Sequence, residues 1–160
     1  MPTRREACMG LGATAIAGVS WDRTPPLASD DYGAALALLD GHWSWLVDLL
    51  SVIRAAEPGE IPDSAAAGLL VRPNGYVAVL NASKGPAFVA SLIAHEAWHA
   101  YQHSQGRRYY GRAAEQEAWA LQAVVMADLL PGSPLVTWLL SEIATLPDGG
   151  PLPGNPEVPA

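Results

Sequence analysis

The sequence predicts a mostly helical α+β domain in which a small β-hairpin packs on a pair of helices. Three observations predict it. From Pro86 onward, apolar residues recur at three- and four-residue intervals in two long stretches, the spacing of a buried helix face. Before them, Gly68-Leu69-Leu70-Val71 and Tyr76-Val77-Ala78-Val79-Leu80 are two apolar or β-branched runs joined through Arg72-Pro73-Asn74-Gly75, the pattern of two strands around an Asn-Gly turn. Finally, 50% of the 160 residues are hydrophobic and 16% are charged, a composition that builds one compact domain with a core of its own.

Taken in order, residues 1–20 stand apart. Arg4-Arg5 precede an apolar run from Ala7 to Val19, and Ala15-Ile16-Ala17 is a small-x-small pattern suited to signal peptidase. Thr3-Arg4-Arg5 resembles the start of a twin-arginine signal. A frayed, Ala-rich N-terminus fits as well, so an exported and a cytoplasmic protein both stay open. The run is shorter than the ~20 apolar residues of a membrane-spanning helix, and no integral membrane segment is expected after processing.

Residues 21–146 read as a single domain. Trp21 to Asp31 is a turn-rich linker that ends in three candidate helix caps, Ser29, Asp30 and Asp31. Tyr32 to Ala56 carries Leu36, Leu39, Trp43, Leu46, Leu50 and Ile53 as one stripe, which predicts a helix broken near Gly41. His42 and the neighbouring Trp43 and Trp45 read as packing and capping groups of that helix. Pro58 and Pro62 end it, and the hairpin follows.

Asn81 and Ser83 are candidate caps for the next helix, and Pro86 suits its first turn, so a helix is predicted from about Pro86 to Ser104. Gly106 to Arg112 is a glycine-bracketed loop holding Arg107, Arg108 and Arg112, three of the nine basic residues. A further helix is predicted from about Ala113 to Leu130, with Leu121, Val125 and Leu129 inward. A closing helix is predicted from Pro134 to Leu146. Residues 147–160 are rich in Pro and Gly and read as a disordered tail.

Charge and cysteine usage narrow the chemistry. Nine Lys and Arg against 16 Asp and Glu leave a net charge of -7, which argues against nucleic acid as a partner, because phosphate binding needs a basic surface. Cys8 is the only cysteine, which excludes an intrachain disulfide and a thiolate metal cluster.

The stretch that carries chemistry is His95-Glu96-Ala97-Trp98-His99. On a helix, residues four apart lie one turn apart on one face, so both imidazoles can address a single metal ion. Glu96 sits about 100° round the helix, aside from the ligand positions but within reach of a water in an open coordination position. His103, four beyond His99, reads as a helix-end histidine. A third ligand is sought among Glu115 and Glu117. Two residues apart, they lie on opposite sides of a helix, and only one of them can point into the site.

This HExxH pentapeptide, followed by an acid on the next helix, resembles the gluzincins, zincin metallopeptidases in which a second helix supplies a Glu. Glu115-Gln116-Glu117-Ala118 matches the E-x-x-A part of the E-x-x-A-[DN] motif of the radiation-response and repressor-cleaving peptidases and the CAAX-type membrane peptidases. The metzincin pattern is excluded, because Gln102 and Gln105 stand where its Gly and third His would fall.

The resemblance runs from about Leu80 to Leu130. It implies a zincin-like core, Zn2+ held by His95, His99 and Glu115, Glu96 as general base, and endopeptidase activity on a peptide or protein substrate. It also implies that the strand before the metal helix rims the substrate cleft. The chain departs from the motif at Trp119, where the family has the Asp or Asn that orients a ligand His, so that support must come from elsewhere. Tyr109, Tyr110 and Arg108 are candidates for the oxyanion and the substrate. Arg107, Arg108 and Arg112 either are solvated or pair with Glu115 and Glu117, or face the cleft, where they would favour acidic side chains or a C-terminal carboxylate. The competing reading is a non-catalytic zincin-like module that binds metal or a peptide.

Overall fold

The computed structural model describes residues 29–61, 65–81 and 85–145. The signal-peptide reading of residues 1–20, most of the linker, the Ser83 cap and the tail over residues 147–160 lie outside the described residues.

Within them the chain is α+β, as predicted. The order is α1 (Ser29–Leu39), α2 (Ser44–Val47), β1 (Val52–Ala55), β2 (Ala67–Arg72), β3 (Gly75–Leu80), α3 (Pro86–Ser104), α4 (Arg112–Leu129) and α5 (Pro134–Thr145). Helix α3 is the centre of the molecule. It packs against α4, α1, α2 and the sheet, and it buries Phe88, Val89, Leu92, Ile93, Ala94 and Ala97 in the main core. On its other neighbours that core is completed by Ala35, Leu39, Trp43 and Leu46 from the α1–α2 region and by Val125 and Met126 from α4.

The hairpin forms where the sequence places it, but its turn is Pro73-Asn74 rather than the expected Asn74-Gly75, because Gly75 already pairs with Arg72 as the first residue of β3. β2 and β3 are antiparallel with Val71 opposite Tyr76 and Arg72 opposite Gly75, leaving Pro73 and Asn74 as the turn. Gly75 opens β3 at φ 135°, a backbone region that L side chains avoid. A Cβ there would also fall 1.8 Å from Ser51 Oγ, so two requirements meet at one glycine. Alternation along the strands serves two faces. Leu69, Val71 and Tyr76 cluster with Ala100 of α3, while Leu70, Val77 and Val79 pack with Ile61 and Ala65 on the other side.

The helix predicted to run to Ala56 is corrected. Gly41, at φ 85°, ends the first helix, α2 is a single turn, and residues 52–55 are a strand. β1 pairs in parallel with β3, Val52 opposite Val77 through Ala55 opposite Leu80, which gives a three-stranded sheet in the order β1-β3-β2. The Leu46, Leu50 and Ile53 spacing imitates a helix face. What overrides it is a ladder to a segment some 25 residues away, extended by Ser51 N–H to Tyr76 O (2.8 Å) and Ala56 N–H to Leu80 O (2.9 Å). The sheet also corrects the cleft expectation. β3, the strand that precedes α3, is the middle strand with both edges paired, so any open edge belongs to β1 or β2.

The caps differ too. Gly85, not Asn81, is the N-cap of α3, with Pro86 in the first turn as predicted. Asn81 instead donates its side-chain N–H to Ala65 O at 3.2 Å. His42 is exposed and sits edge-on to Trp43, while the buried Trp43 indole donates to Asp128 Oδ2 at 2.8 Å and ties the α1–α2 turn to the end of α4. Among the described residues, no helix is long and apolar enough to cross a membrane.

Candidate metal centre

The site is built by α3 and α4. On α3 the positions that face the interior include Ser91, His95, His99 and Gln102, spaced by three or four residues. On α4 the buried stripe starts at Glu115 and continues through Ala118, Trp119, Gln122 and Val125. Gly111 stands immediately before that helix. It is the N-cap of α4 at φ 86° and ψ 173°, and its carbonyl accepts the Glu115 N–H at 3.0 Å.

Packing these two faces together brings His95, His99 and Glu115 to one point, each offering a ligand atom within 4.8 Å of the others. His95 Nε2 lies 3.3 Å and His99 Nε2 3.4 Å from the two Glu115 oxygens, and the two Nε2 atoms are 3.1 Å apart. All three side chains are buried, and so is Glu96. Two imidazoles and a carboxylate are the donors a divalent transition ion takes, and three of them leave a coordination position open.

Both rings are held from behind by glutamine amides, and the amide orientations follow from their acceptors. Gln102 Nε2 faces Ala114 O (3.2 Å) and Glu117 Oε2 (3.1 Å), which only accept, so Gln102 Oε1 must be the atom 2.9 Å from His99 Nδ1. Ser91 Oγ donates to Phe88 O and receives Gln122 Nε2 at 3.3 Å, so Gln122 Oε1 faces His95 Nδ1 at 3.1 Å. Each Nδ1 therefore carries a proton, and each Nε2 points at the convergence.

At 3.1 Å, two bare Nε2 atoms would repel, so one of them carries a proton shared with its neighbours. The electrostatics assign it. Burial lowers His95 below its ordinary value. Burial also acts to lower His99, but the charge and hydrogen bond of Glu115 outweigh it and raise His99 to about 9. Glu115 is pushed up by burial and pulled down further by His99 and His95, to about 2. A proton thus sits among three atoms suited to an ion, and a metal would take its place.

Glu96 differs from its neighbours. Its Oε2 is buried without a hydrogen-bond partner, and burial raises the carboxyl to about 8. It is close enough to His99 and Glu115 to respond to both charges. Glu117, the other acid considered for the third ligand, lies outside the convergence. It is 38% exposed and accepts from Trp98 Nε1 (3.2 Å), Gln102 Nε2 and Arg107 (2.5 Å).

The structure gathers Tyr109, Tyr110 and Arg108 into an aromatic row at the end of α3. Tyr109 stands edge-on to His103 (4.8 Å) and to Tyr110 (5.4 Å), Arg108 lies 4.6 Å over the Tyr110 ring, and Tyr76 OH meets His103 Nδ1 at 2.9 Å. Gln102 and Gln122 are the residues that sequence reasoning missed. Their signal was spacing: three after His99, and seven after Glu115, both on the site-facing stripes. Gln122 supplies the support that Trp119 cannot. That indole is buried against Trp138 (6.3 Å between rings), and its Nε1 has no hydrogen-bond partner.

Comparison with protein-family models, with curated proteins and with solved structures gave no match. What the fold and the site define is an α+β chain with a buried His-His-Glu group able to hold a metal ion.

Proposed function

We propose that the protein is a zinc-dependent endopeptidase of the zincin type, with His95, His99 and Glu115 as ligands and Glu96 as general base. The observation that carries this reading is the buried, unpartnered Glu96 Oε2 beside three converging ligand atoms. A carboxylate without a partner is costly to bury, and a water at the open position is the partner this one lacks. When bound, zinc supplies an acidified water and a Lewis acid for the scissile carbonyl.

The chain's own residues do the rest. Glu96 accepts the proton of the attacking water and returns it to the leaving amine, and its raised affinity for protons suits both steps. Gln102 and Gln122 keep both Nε2 atoms aimed at the ion. Tyr109, Tyr110 and Arg108, on and beside the loop that joins the two helices, are the candidates for steadying the oxyanion and the substrate.

Metal content and hydrolysis of an unfolded protein such as casein, measured on the wild type and on Glu96→Gln, test the reading. Zinc is expected in both, and hydrolysis in the wild type alone, with a loss on the order of 10²- to 10⁴-fold in the variant. The near-complete burial of all four groups favours a second reading, a non-catalytic metal-binding module. Zinc in the wild type without hydrolysis would select it, and a chain that takes up no metal rejects both.

A further inference from the structure

The two candidate histidine ligands are backed unequally. Gln122, behind His95, spends an amide hydrogen on the neutral Ser91 hydroxyl. Gln102, behind His99, spends both of its hydrogens, one on Ala114 O and one on the Glu117 carboxylate. An amide whose N–H groups point at an anion is polarised, and its oxygen becomes a stronger acceptor. The Nδ1–H that donates to it is drawn outward, which makes the opposite Nε2 a better metal donor.

We infer that Glu117 is a positioning residue for the metal centre, acting on His99 through Gln102. The inference rests on the reading of His95, His99 and Glu115 as metal ligands. The row is Glu117 Oε2, Gln102 Nε2, Gln102 Oε1, His99 Nδ1, with contacts of 3.1 and 2.9 Å. Its outer end is fixed by two further donors, the Trp98 indole from α3 and Arg107 from the loop between the helices. Three donors on one carboxylate hold it in a single orientation, so a half-exposed residue can act on a buried ligand. It does so as a charge relayed through an amide, without touching the ion.

Glu117→Gln keeps the shape and removes the charge, and at 38% exposure it leaves the core intact. Two readouts are taken on the full chain. Titration with zinc alone should show an affinity about tenfold weaker than wild type, the lower end of what loss of such an outer partner does to metal sites. In the metal-free protein, the His99 Nδ1–H proton resonance should move upfield while that of His95 stays in place. In a Gln102→Leu background, Glu117→Gln should change neither quantity further.

An unchanged zinc affinity and an unmoved His99 resonance in Glu117→Gln would overturn the inference. So would an effect of equal size in the Gln102→Leu background. A wild type that binds no zinc would instead overturn the metal reading, and the resonance of metal-free His99 would still decide whether the relay exists.

Discussion

His99 and Glu115 hold opposite charges in a buried space, and that fixes how the site answers to pH. A ligand His must be neutral, so an ion that enters below about pH 9 has to displace the His99 proton. Zinc affinity should therefore rise about tenfold per pH unit from 7 toward 9 and then level, and calorimetry in buffers of different ionisation enthalpy should count one proton released. A flat profile would place the proton elsewhere. The two acids separate cleanly at this scale. Glu115→Ala removes one of the three proposed ligands and should abolish stoichiometric zinc, whereas Glu117→Ala should keep it at weaker affinity, and equilibrium dialysis distinguishes them. The His pair and Glu96 were legible in the sequence from their spacing on one helix, whereas Glu115 was set apart from Glu117 only by the resemblance to the E-x-x-A motif. Gln102 and Gln122 were not, because their spacing marks only a shared helix face, and an amide there is not told apart from any other polar residue until the ring it backs has been placed.

Helices α3 and α4 are where local pattern and tertiary structure agree. Both begin within a residue of the predicted start, because proline or glycine punctuates the chain there and long apolar stripes follow. β1 is where they disagree. A short parallel strand has no alternation strong enough to compete with a chance helical spacing, and its hydrogen bonds come from β3, far along the chain. α4 starts from Gly111, whose φ of 86° lies in a region reserved almost wholly for glycine. A Cβ there would meet nothing closer than Arg108 Nε at 3.9 Å, so the cost of Gly111→Ala is conformational rather than steric. That variant should lose about 1–3 kcal/mol in denaturant unfolding. It should also bind zinc more weakly, since Glu115 takes its direction from that first turn. Loss of stability with zinc affinity unchanged would show that α4 finds its phase from packing alone.

Across the whole molecule, the site joins the central helix to the helix that closes the core, so an ion held there should act as a cross-brace. An ion that binds only the folded chain at a free concentration a thousandfold above its dissociation constant adds about 4 kcal/mol, which for a chain of this size is on the order of 10 °C in Tm. The gain should depend on pH, with a sign set by the four buried groups of the site. His99 is raised to about 9 and Glu96 to about 8, so their contributions to the metal-free fold are full below their ordinary values and fade as pH rises through those figures. Glu115 is depressed to about 2, so its contribution is present above the ordinary carboxylate range and lost as pH falls toward that figure. Glu115 and His99 contribute in full together between about pH 4.5 and 6.5, and across that window the decline of Glu96 from its ordinary value is opposed by His95, which burial lowers and whose contribution grows as pH rises. Above that window the metal replaces the proton that His99 gives up, so the zinc-loaded protein should resist the alkaline decline. Thermal melts with and without chelator, run from pH 6 to 9.5, should show a Tm gap that widens with pH. A gap that stays constant or narrows would mean that the ion does not stand where the His99 proton was.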